Sequence, residues 1–181
     1  HNVENAIAAI SLAFEYGATS DGIRKGIRNF SGVQRRFTYA LKTEKMIVID
    51  DYAHHPEEIK AAVSAARELY PDKRIAGVFQ PHLFSRTRDF ADQFARSLEL
   101  LDDVVLLEIY PARETPIPGV DSTMLLNKIE VDSKEVVSKE ELESKLLSMN
   151  FDVLIMMGAG DIDRLVRPVS EALKMKGGIH A

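Results

Sequence analysis

Four short segments of this sequence gather side chains that can bind anions, move protons or attack a carbonyl. They are Asp50-Asp51-Tyr52-Ala53-His54-His55-Pro56, Gln80-Pro81-His82-Leu83-Phe84-Ser85-Arg86-Thr87-Arg88-Asp89, Tyr110-Pro111-Ala112-Arg113-Glu114 and Gly158-Ala159-Gly160-Asp161. Three of the five histidines fall in them, together with Arg86, Arg88 and Arg113. Such a set suits an anionic ligand, a phosphate or a carboxylate. Arg86, beside His82 and just ahead of an expected helix start, has the better claim to a bidentate carboxylate contact. Arg88 reads equally as a surface residue.

Each segment also has a plainer reading. His54-His55 could ligate a metal, but adjacent residues rarely share one ion and no spaced third ligand follows, so no metal site is expected. Ser85, His82 and Asp51 could form a triad, yet no nucleophile elbow precedes the serine. Asp50-Asp51 could be caps or solvated acids. Gly158-Ala159-Gly160 could cradle a phosphate, although a tight strand-to-helix turn is the default. Asn2 and Asn5 could bond an adenine edge, but two Asn in an opening turn are more often caps.

The elements that must position these residues follow from periodicity. From His1 to about Tyr16, the residues Val3, Ile7, Ile10 and Phe14 share one helical face, and Gly17 is a stop. A second short helix is expected with Ser20 as its cap and Ile23, Ile27 and Phe30 along one side, ending at Ser31-Gly32. Phe37 to Leu41 and Met46 to Ile49 read as a hairpin. Pro56 opens a helix with the stripe Ile59, Ala62, Val63, Ala66 and Leu69. Arg74 to Phe79 is a strand, followed by a helix capped by Thr87 and buried through Phe90, Phe94, Leu98 and Leu101. Val104 to Ile109 is an apolar strand, Ser122 to Ile129 a helix, and Val136-Val137 a short strand. Ser138 and Glu141 resemble a capping box. Asp152 to Met157 is the last buried strand, leading through Gly158 into a helix carrying Ile162, Leu165, Val169 and Leu173.

Short apolar strands alternating with helices predict a mostly parallel sheet with helices on both faces. Ligands of such sheets bind beyond the carboxyl ends of the strands, which is where all four segments fall.

Composition bounds the rest. The chain has 181 residues, 45% apolar and 28% charged, with 23 basic against 28 acidic side chains and a formal net charge of −5. That balance argues against a nucleic-acid partner. No apolar run reaches the ~18 residues of a membrane span, so no membrane partner is expected. There is no cysteine, which excludes disulfides, thiolate metal sites and a cysteine nucleophile. A cytoplasmic setting fits. The abrupt helical start at His1 reads as a piece of something longer.

Taken together, the ordered motifs resemble one family. His1-Asn2-Val3-Glu4-Asn5-Ala6, Phe30-Ser31-Gly32-Val33-Gln34-Arg35-Arg36-Phe37 and Asp51-Tyr52-Ala53-His54-His55-Pro56 are similar to the motifs of Mur ligases, the ATP-dependent amide-forming enzymes of peptidoglycan assembly. Phe79-Gln80-Pro81-His82 with Phe84-Ser85-Arg86-Thr87-Arg88-Asp89 most resembles the branch that adds L-alanine to UDP-N-acetylmuramate. The resemblance implies three domains in the family, of which residues 1–31 match the end of the central ATPase domain and residues 32–181 the C-terminal Rossmann-like domain. The Gly-rich P-loop and the magnesium ligands of the family are not among these residues. The chain alone is therefore expected to be inactive, with ATP and Mg2+ belonging to the full-length enzyme and neither bound tightly here. A hinge is expected at Ser31-Gly32.

The implied reaction phosphorylates the muramate carboxylate and lets the L-alanine amine attack the acyl phosphate, so cations must stand ready for the charge that develops. By resemblance, Asn2 and Asn5 contact adenine, Arg36 reaches the ATP phosphates and Asp51 bonds the ribose hydroxyls. Tyr52, His54 and Arg86 surround the incoming amino acid, with Arg86 on its carboxylate and His82 lining the same pocket. Arg36, His54 and Arg86 are thus the expected catalytic set. Leu83 stands where some relatives carry Arg. A related ligase attaching a whole peptide, and a stand-alone nucleotide-binding or interaction module, are the competing readings.

Overall fold

The computed structural model describes residues 2–30 and 32–177, with Asn2 described for its backbone alone. The chain divides into two compact units, residues 1–34 and 35–181.

The first unit is a helical pair, α1 (Asn2–Glu15) and α2 (Ser20–Asn29). Gly17, at φ +83°, ends α1 in the left-handed conformation that a glycine adopts without penalty, and its amide reaches back to the Phe14 carbonyl at 2.9 Å. The cap of α2 is Thr19 rather than Ser20: the Thr19 hydroxyl accepts from the Gly22 amide at 3.2 Å. Two helices alone cannot cover their apolar stripe, and Val3, Ile7 and Phe14 remain exposed.

The second unit holds the remaining elements. These are β1 (Thr38–Lys42), β2 (Ile47–Asp51), α3 (Pro56–Leu69), β3 (Ile75–Phe79), α4 (Phe84–Asp89), α5 (Ala91–Leu98), β4 (Asp103–Leu106), α6 (Ser122–Leu126), β5 (Ser133–Val136), α7 (Leu142–Ser148), β6 (Val153–Met157) and α8 (Asp163–Lys176). They build a six-stranded sheet in the order β1-β2-β6-β3-β4-β5, parallel except for the antiparallel edge strand β1. The expected α/β sheet is therefore present.

Because side chains alternate along a strand, the apolar runs bury both faces. Ile47, Ile49, Ile75, Phe79, Val104, Val153 and Ile155 pack under α3, α5 and α6. Val48, Ala76, Val78, Val105, Leu154 and Met156 pack under α7 and α8. Gly77 lies in the middle of β3 because a Cβ there would strike the Leu101 side chain and come within 3.2 Å of Met157.

Several boundaries depart from the expectations. Leu69, expected in the buried stripe of α3, is exposed at the last turn. β4 ends at Leu106, not Ile109, because the next carbonyl, Leu107, accepts the Ser122 hydroxyl at 2.6 Å instead of a strand amide. That bond also holds the start of α6, which ends at Leu126. Thr87 does not cap a helix. It is buried inside α4, and its hydroxyl donates back to the Leu83 carbonyl at 2.8 Å. Arg86 consequently lies within α4 rather than ahead of it. The Ser138–Glu141 box forms, with the Ser138 hydroxyl 2.7 Å from Glu141 Oε2 and the Glu141 amide 3.2 Å from Ser138 Oγ. Of the expected hinge, Ser31 lies outside the described residues and Gly32 has φ +91°.

Candidate active site

Register brings the four segments to one level. Asp51 pairs with Met157, Met157 with Phe79, and Phe79 with Leu106, so the carboxyl ends of β2, β6, β3 and β4 stand side by side. The loops that follow share one edge of the sheet. A single-residue bridge between His82 and Tyr110 ties two of them together.

At the β2 end, Asp51 is buried, 7% exposed. Its Oδ2 accepts from the Phe37 amide and its Oδ1 from the Ala53 amide, each at 2.8 Å. Burial pushes its carboxyl above the usual range, while the two amide bonds and nearby Arg36 pull it down. Each oxygen keeps a second lone pair that could accept from a hydroxyl.

The same bonds brace an unusual turn. Arg35 and Phe37 both have positive φ, +57° and +50°, a conformation costing a non-glycine residue about 1–2 kcal/mol. Three sets of contacts hold it. The Tyr52 amide donates to the Arg35 carbonyl at 2.7 Å. The Phe37 amide goes to Asp51. The Arg35 guanidinium lies over the Tyr52 ring and donates to the Gly158 carbonyl at 2.6 Å and to Asp50 at 3.4 Å. Arg36, between the two strained residues, is exposed on a fixed backbone. Sequence reasoning passed over Arg35. The Arg35-Arg36 doublet was visible, but nothing in it told the structural arginine from the exposed one.

His54 is half-buried. Its Nδ1 lies 2.9 Å from the Tyr52 carbonyl and 3.2 Å from Glu58 Oε2. A carbonyl only accepts, so Nδ1 carries the hydrogen in the neutral ring and Nε2 is left as the acceptor. Tyr52 packs edge-on against His54 with centroids 5.1 Å apart, and His54 stands 6.1 Å from the ring of His82. His55 turns elsewhere and packs on Phe90 at 4.9 Å. The adjacent pair does not converge on one ion, and among the described residues no three His, Asp or Glu side chains could hold a metal.

At the β3 end, His82 stacks on Tyr110 at 5.6 Å and 22°. Its Nδ1 is buried without a hydrogen-bond partner, and so is Nη1 of Arg86. Burial, with the positive charge of Arg86 second, holds the His82 imidazole below its usual range. Two orphaned polar atoms on the segment that follows β3 are candidate ligand contacts, since such groups rarely go unpaired. Leu83, at φ +73°, makes the bend between them. No triad forms: Ser85 donates to Glu114, and Asp51 is held by amides.

Gln80 is the residue the sequence reading missed. It is fully buried, its Nε2 donating to Asp161 at 2.8 Å and its Oε1 accepting from the Ile162 amide at 3.0 Å. Lys139 holds the other side of Asp161 at 2.7 Å. The glycines 158 and 160 make room for this bridge. A Cβ on Gly158 would come 2.9 Å from the Gln80 carbonyl, and one on Gly160 would strike Gln80 Oε1 and lie 2.7 Å from Tyr110. The signal was a lone amide closing an apolar strand, Ile75 to Gln80. The Gly158-Ala159-Gly160 turn thus accommodates the Gln80 and Tyr110 side chains.

Asn5 is exposed on α1, and the Asn2 side chain lies outside the described residues. Among the described residues no helix is long and apolar enough to cross a membrane.

Comparison with known proteins places the fold and the family. A family model described as "Mur ligase, glutamate ligase domain" matches residues 35–160. The UDP-N-acetylmuramate–L-alanine ligase of Cytophaga hutchinsonii is 53% identical over 169 residues, covering 93% of this chain and 36% of the relative. That of Parabacteroides distasonis is 48% identical over 172 residues, covering 95% of this chain and 37% of the relative. The crystal structure of the Thermotoga maritima UDP-N-acetylmuramate-alanine ligase superposes with a TM-score of 0.78 at 31% identity, over 97% of this chain and 38% of that one. A murein peptide ligase from Psychrobacter arcticus shares the fold, with a TM-score of 0.70 at 24% identity. The chain spans between a third and two fifths of the length of these relatives. With the family model matching residues 35–160 and relatives 48% and 53% identical over 95% and 93% of this chain, the chain belongs to the Mur ligase family.

Proposed function

We propose that this chain is the C-terminal portion of a cytoplasmic, ATP-dependent ligase that joins L-alanine to the muramate carboxyl of UDP-N-acetylmuramate. Residues 1–31 are the end of its ATPase domain and residues 32–181 its amino-acid-binding domain. One observation carries the reading: Nη1 of Arg86 and Nδ1 of His82, on the same segment after β3, are both buried without a hydrogen-bond partner. A guanidinium held without an acid partner is built to receive a carboxylate from outside.

The surrounding groups suit the other end of a small amino acid. Its ammonium must lose a proton before the amine can attack, and His54 Nε2 is the acceptor that the Tyr52 carbonyl leaves free. His82, kept neutral at pH 7 by burial and by Arg86, sets no positive charge against that ammonium. When bound, ATP supplies the phosphoryl group that activates the muramate carboxyl. Arg36 is an exposed cation on a braced turn and suits phosphate oxygens; Asp51 has lone pairs to spare for ribose hydroxyls. Asn2 and Asn5 are proposed for the adenine edge. Mg2+ is expected to accompany ATP in the full-length ligase, with no ligand cluster for it among the described residues.

The test is turnover by the full-length protein. Phosphate release dependent on UDP-N-acetylmuramate and L-alanine supports the reading. Activity with a tripeptide and none with L-alanine would replace it with the peptide-attaching relative. Calorimetry on the isolated chain should detect no ATP binding, and micromolar affinity would favour a stand-alone nucleotide module.

A further inference from the structure

An open arginine needs an explanation, because a carboxylate stands nearby. Glu114 follows Arg113 in the loop after Ile109, and that loop is tied to the His82 segment by the His82–Tyr110 bridge and by the Leu83 amide donating to the Tyr110 carbonyl at 3.0 Å. His82 senses both charges, Arg86 opposing its protonation and Glu114 favouring it. A half-buried acid so placed would ordinarily pair with the guanidinium. Among the described residues Arg86 enters no ion pair, and Glu114 is bound elsewhere. Its Oε2 accepts the Ser85 amide at 2.9 Å and its Oε1 accepts the Ser85 hydroxyl. Ser85 is the residue immediately before Arg86, so the acid is captured one position short of the cation.

We propose that Ser85 is a positioning residue that sequesters Glu114 and so keeps the Arg86 guanidinium open for the amino-acid carboxylate. The inference rests on the function proposed above and adds a specificity device to it. Ser85 and Glu114 touch no substrate in this scheme. They decide whether Arg86 is already neutralised when the amino acid arrives. The Ser85 bonds hold the Glu114 carboxyl below its usual range, so it stays ionised and fixed at neutral pH.

The experiment measures KM for L-alanine and for ATP in the full-length ligase carrying Ser85→Ala, Ser85→Thr, Glu114→Gln, Arg86→Ala or Ser85→Ala with Glu114→Gln. Ser85→Ala removes the hydroxyl bond and leaves Glu114 on the Ser85 and Phe84 amides alone, loose enough to turn toward Arg86; KM for L-alanine should rise about tenfold with KM for ATP unchanged, the scale of one hydrogen bond to a charged group. Ser85→Thr keeps the hydroxyl and should stay near the parent. The double variant decides the matter. An uncharged amide side chain at position 114 cannot neutralise Arg86, so the double should recover most of the affinity that Ser85→Ala loses. A merely structural latch predicts the reverse, a double at least as impaired as the single. That result, or an unchanged KM in Ser85→Ala, overturns the proposal. If Arg86→Ala leaves KM for L-alanine unmoved, the functional reading itself fails, and the inference falls with it.

Discussion

The side-chain oxygen of Gln80 accepts the amide hydrogen of Ile162 at 3.0 Å, joining the end of β3 to the start of the α8 loop across 82 residues. With its amide nitrogen on Asp161, Gln80 uses both ends of its side chain in a fully buried position. Phe79 and Pro81 flank it, so this bridge fixes where the His82 segment leaves the sheet.

Gln80→Leu should therefore be costly. It strands the buried Ile162 amide, while Asp161 keeps its ion pair with Lys139, and a buried group left unpaired costs about 1–3 kcal/mol. Thermal unfolding of the chain should show a clear drop in midpoint. A drop no larger than that of an exposed control such as Lys60→Ala would show that water replaces the amide.

Two glycines should respond oppositely to alanine. At Gly160 a Cβ meets Gln80 and Tyr110, and overpacking of this kind costs about 1–3 kcal/mol. At Gly26, inside α2, a Cβ meets nothing within 4 Å, and Gly to Ala in a helix interior stabilises by about 0.5–1 kcal/mol. Denaturant midpoints of the two variants should move in opposite directions.

His82 should titrate below an ordinary histidine, burial being the main cause and Arg86 the second. Arg86→Ala removes a like charge and should move the His82 pKa upward, while burial keeps it below the free value. An NMR titration of the chain resolves this. A downward shift in the variant would mean that Arg86 does not face the imidazole.

The acid limb of stability should depend on Glu114. Its carboxyl is held below the ordinary value by the Ser85 hydroxyl and amide. A group depressed in the folded state adds stability above its unfolded pKa of about 4.3, and loses it as pH falls through the folded value. Unfolding midpoints between about pH 2 and 6 should fall less steeply on acidification for Glu114→Gln than for the parent. Identical slopes would contradict the bond.

The sheet was legible because both-face burial writes itself as unbroken apolar strands such as Ile75 to Phe79 and Val153 to Met157. The site was legible as position: all four chemistry-bearing loops follow strands that register places side by side. What periodicity does not encode is which of several polar neighbours turns inward. Arg35 and Arg36 are adjacent, yet one braces the turn and the other is exposed. Ser85 has no nucleophile elbow before it, but nothing near it in sequence marks it as a clamp on Glu114. Thr87 looked like a cap and bonds backward inside α4, which moved Arg86 into the helix. Those choices depend on contacts made across the chain, as between Ser85 and Glu114, and no local pattern carries them.

The most direct measurement is the kinetics of Arg86→Ala in the full-length protein with L-alanine, UDP-N-acetylmuramate and ATP. An arginine that receives the amino-acid carboxylate predicts a KM for L-alanine raised about tenfold or more, roughly the worth of a charged hydrogen bond, with KM for ATP unchanged. Equal damage to both constants, or none to the first, would contradict it.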